Sequence, residues 1–302
     1  MKKTTKALLV LFLAWFWGCS SDSTDTDASN ASGTVDKTAN LQGTGDSARD
    51  LLSNENFTKL KIEIAYVDGY APTEEAIDGF VNYLKERTFK EEIEIVYNTL
   101  PSPDEESLTL DEIADLESKN RTVYNEGSTL AIYIYFADAP ADGDDLEEGL
   151  VTLGAVYRNT SMIIHEATVR KLAAQSFFIS DADVENTTLN HEFGHLFGLV
   201  NLGTPSIHNH EDTEANDGDD PAGNNHCSVA GCLMRAELQF GGGLNKGQSL
   251  FSKNSNGLIA PCRLSGASVI KMLENRTAKG VLPTPPDLDA ECLLDLASNG
   301  GR

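Results

Sequence analysis

The run His191-Glu192-Phe193-Gly194-His195-Leu196-Phe197-Gly198 decides how the rest of this 302-residue chain is read. At about 100° per residue it fits a helix expected from about Asp183 to Val200. Leu189, Phe193, Leu196, Phe197 and Val200 gather in one apolar arc that packs on the core. His191 and His195, four residues apart, fall together on the opposite side, one above the other. Two imidazoles so placed can share a divalent ion, and Zn2+ is the metal that most often takes such a pair. Glu192 lies beside them, placed to take a proton from water that the ion activates. The plainer alternative is an amphipathic helix whose polar face happens to carry two histidines. Three features count against it. The apolar stripe turns away from both histidines, Gly198 stands where the chain can turn sharply to bring in a third ligand, and a further ligand-type residue and a methionine follow later.

Outward from this helix, composition narrows the classes. Apolar residues make up 40% of the chain, which suits a folded globular protein rather than a disordered or multi-span one. The net charge of −24 argues against nucleic acid as a partner, because phosphate binding needs Lys and Arg. Residues 1–18 read as a signal peptide: Lys2, Lys3 and Lys6 precede an apolar run from Ala7 to Trp17 that is too short to span a bilayer. Gly18-Cys19 then resembles a bacterial lipobox, although Phe16 and Trp17 depart from its usual residues. Lipidation of Cys19 would make the chain an exported lipoprotein with a membrane anchor, and Ser20 after it points to outer-membrane or cell-surface sorting. Residues 19–50 are polar and small and serve as a flexible linker.

Export bears on the cysteines. Cys227, Cys232, Cys262 and Cys292 are an even number in an oxidising compartment, which suggests two disulfides, most simply Cys227–Cys232 and Cys262–Cys292. The competing four-cysteine zinc site fits poorly, because C-x4-C is followed by two long intervals.

In chain order, Ala48 to Glu55 reads as a short helix. Leu60 to Val67 alternates as a strand, and Thr73 caps a helix with Ala76, Ile77, Phe80, Val81 and Leu84 on its buried stripe. Ile93 to Tyr97 is a strand, Leu110 to Leu116 a helix, and Leu130 to Phe136 a strand apolar enough to be central. After an acidic loop, Val151 to Tyr157 and Ser161 to Ile164 read as a hairpin through Arg158-Asn159-Thr160, with Ala167 to Phe178 leading into the motif helix. His165 reads as a packed or surface histidine rather than a ligand. Periodicity then fades until Ala267 to Leu273, with a last helix from Asp289 to Ala297. The expected fold class is α+β: a mixed twisted sheet with packed helices and an active-site helix over residues 51–204, and a loop-rich subdomain over 205–302.

H-E-x-x-H-x-x-G resembles the motif of the metzincin clan of zinc metallopeptidases. His226-Cys227-x4-Cys232-x-Met234 is similar to the archaemetzincin branch, and the likeness spans about residues 58–265. It implies a metzincin-like zincin fold in which His226 is the third zinc ligand and Met234 forms a Met-turn beneath the metal. Three departures stand out. Asn201 occupies the usual place of the third ligand, and an insertion of about 25 residues separates Gly198 from His226. His210, and less so His208, lie inside that insertion and compete with His226 for the role. The second zinc of archaemetzincins rests on four cysteines including a C-x-x-C, of which Cys262 alone is kept at 262–265, so that metal is not carried over. Glu211, Asp212, Glu214, Asp217, Asp219 and Asp220 in the insertion read as a solvated acidic loop, with a Ca2+ site as the sharper alternative.

The resulting expectation is a secreted, lipid-anchored zinc endopeptidase acting on peptides or proteins. His191, His195 and His226 hold the metal, Glu192 is the general base, and the strand near Val151 to Tyr157 pairs with an extended substrate. A non-catalytic binding protein on the same scaffold, or a zinc hydrolase of a non-peptide substrate, is the alternative.

Overall fold

The computed structural model describes residues 36–144, 150–213, 225–235, 264–279 and 285–302. Its centre is β3 of a five-stranded sheet, where every residue from Leu130 to Phe136 is buried. The elements are α1 (Ala48–Leu52), β1 (Lys59–Val67), α2 (Glu74–Arg87), β2 (Glu92–Leu100), α3 (Leu110–Asn120) and β3 (Thr129–Phe136). They continue with β4 (Leu150–Val151), β5 (Gly154–Arg158), β6 (Ser161–Ile164), α4 (Glu166–Ala173), α5 (Asp181–Leu196), β7 (Leu264–Ser265), α6 (Gly266–Ala278) and α7 (Ala290–Ser298).

Strand order is β2-β1-β3-β6-β5. β2, β1, β3 and β6 run parallel, and β5 returns antiparallel to β6 as an edge. The α+β expectation of a mixed sheet with packed helices is what is observed. The alternation in β3 explains why both faces are covered. Leu130, Ile132, Ile134 and Phe136 enter the larger core with α1, α2 and α5, while Tyr133 and Tyr135 enter a second core with Ile113 and Ala114 of α3.

The expected strand from Val151 to Tyr157 is two strands. Leu150–Val151 pairs with β7 in a separate ribbon, and Gly154–Arg158 pairs with β6 around Asn159-Thr160. The approach from Ala167 to Phe178 is a short helix, α4, that stops at Ala173. Helix starts follow side-chain capping. Thr73 accepts from Ala76 N at 3.3 Å, and Thr109 with Glu112 closes a capping box. His165 is packed, with Nδ1 donating to Ala139 O at 2.9 Å, and burial holds it at about 4.

Among the described residues, no helix is long and apolar enough to cross a membrane. The signal segment and Cys19 lie outside the described residues, as do Glu214, Asp217, Asp219, Asp220 and Cys262.

Candidate metal centre

α5 carries the motif. It begins in a capping box: Ser180 Oγ accepts from Asp183 N at 3.3 Å, and Asp183 Oδ2 accepts from Ser180 N at 2.8 Å. Glu185 ties the helix to α2 by accepting from Thr73 N at 2.8 Å. α5 is buried all round from Thr187 to Leu196, so its polar side, like its apolar arc, faces the protein interior. It ends at Leu196, short of the expected Val200. Gly198 has φ 73, a conformation that breaks the helix and suits glycine. A Cβ there would stand 2.2 Å from Thr204 Oγ1. The open end is capped from far along the chain, where Asn299 Nδ2 donates to Phe197 O at 3.0 Å and Gly198 O at 3.3 Å.

His191 and His195 meet His226 in one buried group. Ring centroids are 5.0 Å apart for His191–His195, 5.5 Å for His191–His226 and 5.0 Å for His195–His226. One nitrogen from each ring lies within 4.8 Å of the others. His191 Nδ1 donates to Leu233 O at 2.7 Å, which leaves Nε2 with its lone pair for a metal. Both ring nitrogens of His195 are buried without a hydrogen-bond partner among the described residues. Such a ring is costly in an apolar interior unless something binds it, and a divalent ion satisfies that need. Burial, with His226 and His191 alongside, pushes His195 well below its ordinary range, and burial also lowers His191. Neutral imidazole is the form a metal requires. The three residues therefore fit zinc.

Glu192 is fully buried on the same helix, against the edge strand. A Cβ at Gly154 of β5 would lie 2.9 Å from Glu192 Cγ and 3.1 Å from Ile163 O, so α5 and β5 approach this closely only because position 154 is glycine. Met234 lies against the motif in the same way. A Cβ on Gly194 would fall 2.2 Å from its Sδ.

Residues 226–234 form the wall opposite α5. Asp212 N donates to His226 O at 2.8 Å, Cys227 N to Met234 O at 2.7 Å and Leu233 N to Asp287 O at 3.0 Å. Asn201 is not among the three converging rings. Its Nδ2 donates to Glu211 Oε2 at 2.7 Å, and Glu211 Oε1 accepts from Asn225 N at 2.6 Å, which ties the start of the insertion to its end. His208 is exposed and meets Glu291 at 2.8 Å. His210 is buried in a second group, with Nδ1 3.4 Å from Cys227 Sγ and Nε2 2.9 Å from Asp295 Oδ2.

The expected Cys227–Cys232 disulfide is absent. Cys227, Cys232 and Cys292 are buried thiols without a bridge. Cys232 and Cys292 sulfurs are 3.6 Å apart, against about 2.05 Å for a bond. The sulfurs instead serve as hydrogen-bonding anchors, with Cys227 Sγ on Asp289 Oδ2 at 2.9 Å and Cys232 Sγ accepting from Met234 N at 3.3 Å. Hydrogen bonds from Cys227 and Cys292 lower the Cys232 thiol, the bond with Cys232 raises that of Cys227, and bonds with Cys227 and Cys232 raise that of Cys292. Cys292 is a thiol, and its expected partner Cys262 is outside the described residues. Asp289, Asp295, Gly154 and the Leu233 carbonyl were not singled out from sequence. Asp289-x-x-Cys292 at a helix start was the one local signal available.

No family model and no curated protein matches the chain. Solved structures that align with it include two metallopeptidases. Archaemetzincin from Methanopyrus kandleri is 14% identical, with a TM-score of 0.44 over 80% of this chain and 96% of its own. Metalloproteinase-II from Bacteroides fragilis is 15% identical, with a TM-score of 0.32 over 74% of this chain, which spans 55% of that protein's length.

Proposed function

We propose that the chain is a zinc-dependent endopeptidase, exported and held to a membrane by lipid on Cys19. The observation that carries the catalytic part is the group of three buried imidazoles with Glu192 on the same helix. His191, His195 and His226 would hold zinc, which would supply a Lewis acid for the scissile carbonyl and for water. Glu192 takes the proton of the attacking water and delivers it to the leaving amine. Leu233 O fixes the His191 ring, and Met234 closes the apolar floor under Gly194. β5, an edge strand beside Glu192, offers backbone groups to an extended peptide, which aligns the scissile bond. Export and anchoring rest on the basic and apolar segment before Gly18-Cys19.

Casein digestion with and without a chelator tests the activity, with Glu192→Gln as the decisive variant. Retained zinc with lost turnover supports the mechanism, and unchanged turnover sinks it. Lipid labelling in the producing cell, abolished by Cys19→Ser, tests the anchor.

A further inference from the structure

We infer that residues 38–48, just ahead of α1, are a strap that positions His226 by clamping the strained turn at the end of α5. It rests on the peptidase reading for what His226 binds, while the contacts of the strap stand without it.

After the motif the chain reverses through Gly198, Val200, Asn201 and Gly203, with φ of 73, 54, 63 and 78. Val200 is β-branched and Asn201 carries a Cβ, so both stand in a left-handed conformation that costs free energy. Such a backbone persists only where its surroundings over-determine it. Asn299 holds one side of the turn, through the carbonyls of Phe197 and Gly198.

The strap holds the other side. A Cβ on Gly45 would stand 2.1 Å from Leu202 O, and a Cβ on Gly203 would stand 2.6 Å from the carbonyl carbon of Gly45. The two segments therefore meet backbone to backbone, and a side chain at either position would part them. Ala48 closes the contact, its Cβ 3.0 Å from where a Cβ on Gly198 would be. The strap is itself fastened to the sheet. Asn40 is fully buried, and its Nδ2 donates to Asn125 Oδ1 at 2.9 Å and to Ala131 O at 3.1 Å. Its Oδ1 accepts from Asn125 N at 3.2 Å. Asn159, between β5 and β6, donates through Nδ2 to Ala39 O and Ser47 Oγ, both at 2.8 Å, and accepts from Gln42 N at 3.0 Å. Buried amides satisfied in this way fix one arrangement of the segment.

From the turn, side chains lead to the third histidine. Asn201 donates through Nδ2 to Glu211 Oε2 at 2.7 Å. Glu211 Oε1 accepts at 2.6 Å from the backbone N of Asn225, the residue before His226. Backbone bonds close the same contact, with Asp212 N donating to His226 O and Ser228 N to His210 O, both at 2.8 Å. Strap, turn, Glu211 and His226 thus form an unbroken line of direct contacts. An insertion has carried the third ligand away from the turn in sequence, and Glu211 ties it back in space.

The test compares metal hold with backbone protection in full-length Gly45→Ala. Metal hold is read by chelator competition for the zinc that His195→Ala removes. Protection is read in the metal-free protein, by hydrogen exchange at the amides of Asp212, Cys227 and Ser228. Gly45→Ala is expected to weaken zinc about 10-fold, as loss of an outer support of a ligand does, and to speed exchange at those amides while β3 stays protected. Asn40→Ala frees the start of the strap and keeps its glycine contact. It moves both readouts the same way by less, and it carries the test where Gly45→Ala folds poorly. Thr109→Ala removes the cap of α3 on the other face of the sheet and gauges general destabilisation, with zinc hold and the three amides unchanged. Wild-type zinc hold and wild-type exchange in both strap variants overturn the inference, and so does an equal change in Thr109→Ala. A wild type without zinc at His195 sinks the peptidase reading instead. Exchange in the metal-free protein then still decides whether the strap holds the His226 loop.

Discussion

Two donor groups flank residues 226–234, and they are built in opposite ways. The three-histidine group takes two donors from one turn of a buried helix, so most of its geometry is local. The second group gathers His210, Cys227, Asp289 and Cys292, whose outermost donors are 82 positions apart. The first is shaped by helix periodicity, the second only by tertiary packing. A local group supplies fixed spacing for chemistry, and a long-range group supplies cross-linking. Here hydrogen bonds of the second group, from Cys227 Sγ to His210 and Asp289, fasten the loop that carries His226.

The largest expected effect touches the first group alone. Glu192→Gln should lower kcat/KM by about 10²- to 10⁴-fold, the usual contribution of a general base, with zinc content unchanged. Next, Gly154→Ala should cost about 10²-fold in kcat through displacement of Glu192, since its Cβ meets both that side chain and the Ile163 backbone. Equal activity in this variant would break the claim that the edge strand positions the base. Away from both groups, His165 provides a background for the comparison. Burial holds it at about 4 against an ordinary 6.5, so the unfolded chain binds a proton that the folded chain refuses. Stability present above pH 6.5 is therefore lost as the pH falls toward 4, by about 2 kcal/mol at pH 5. Urea midpoints at pH 7 and pH 5 should draw together in His165→Gln. The smallest effect is at Asn201. Asn201→Ala should cost about 1 kcal/mol through its bond to Glu211 and leave metal content unchanged. Loss of zinc there would return Asn201 to the ligand set.

Legibility in the sequence followed the same divide. His191, Glu192 and His195 declare themselves because a helix repeats every few residues, and β1, β3 and β6 because alternation or a continuous apolar run needs no partner to be seen. The break of Val151–Tyr157 into two strands was hidden, since β4 exists only through its pairing with β7, over a hundred residues on. The C-terminal limit of α5 was overrun because apolar Leu199 and Val200 continue the stripe although Gly198 has already turned the chain. The disulfide expectation failed for a similar reason. Cysteine number and compartment say that sulfurs will have partners, but not which. His210 could not be separated from His226 by spacing, because what separates them is Asp295, which becomes its neighbour only when α7 docks.

The cap that Asn299 places on the end of α5 has a consequence in time. The two partners are 102 residues apart, so at ordinary synthesis rates the motif helix exists for roughly 5–20 s before its cap is made. Cys292 is made in that same late stretch. A chain still emerging thus carries both motif histidines yet lacks the segment that secures the third. The loop that carries His226 likewise gains its bond from Leu233 N to Asp287 O only in that late stretch.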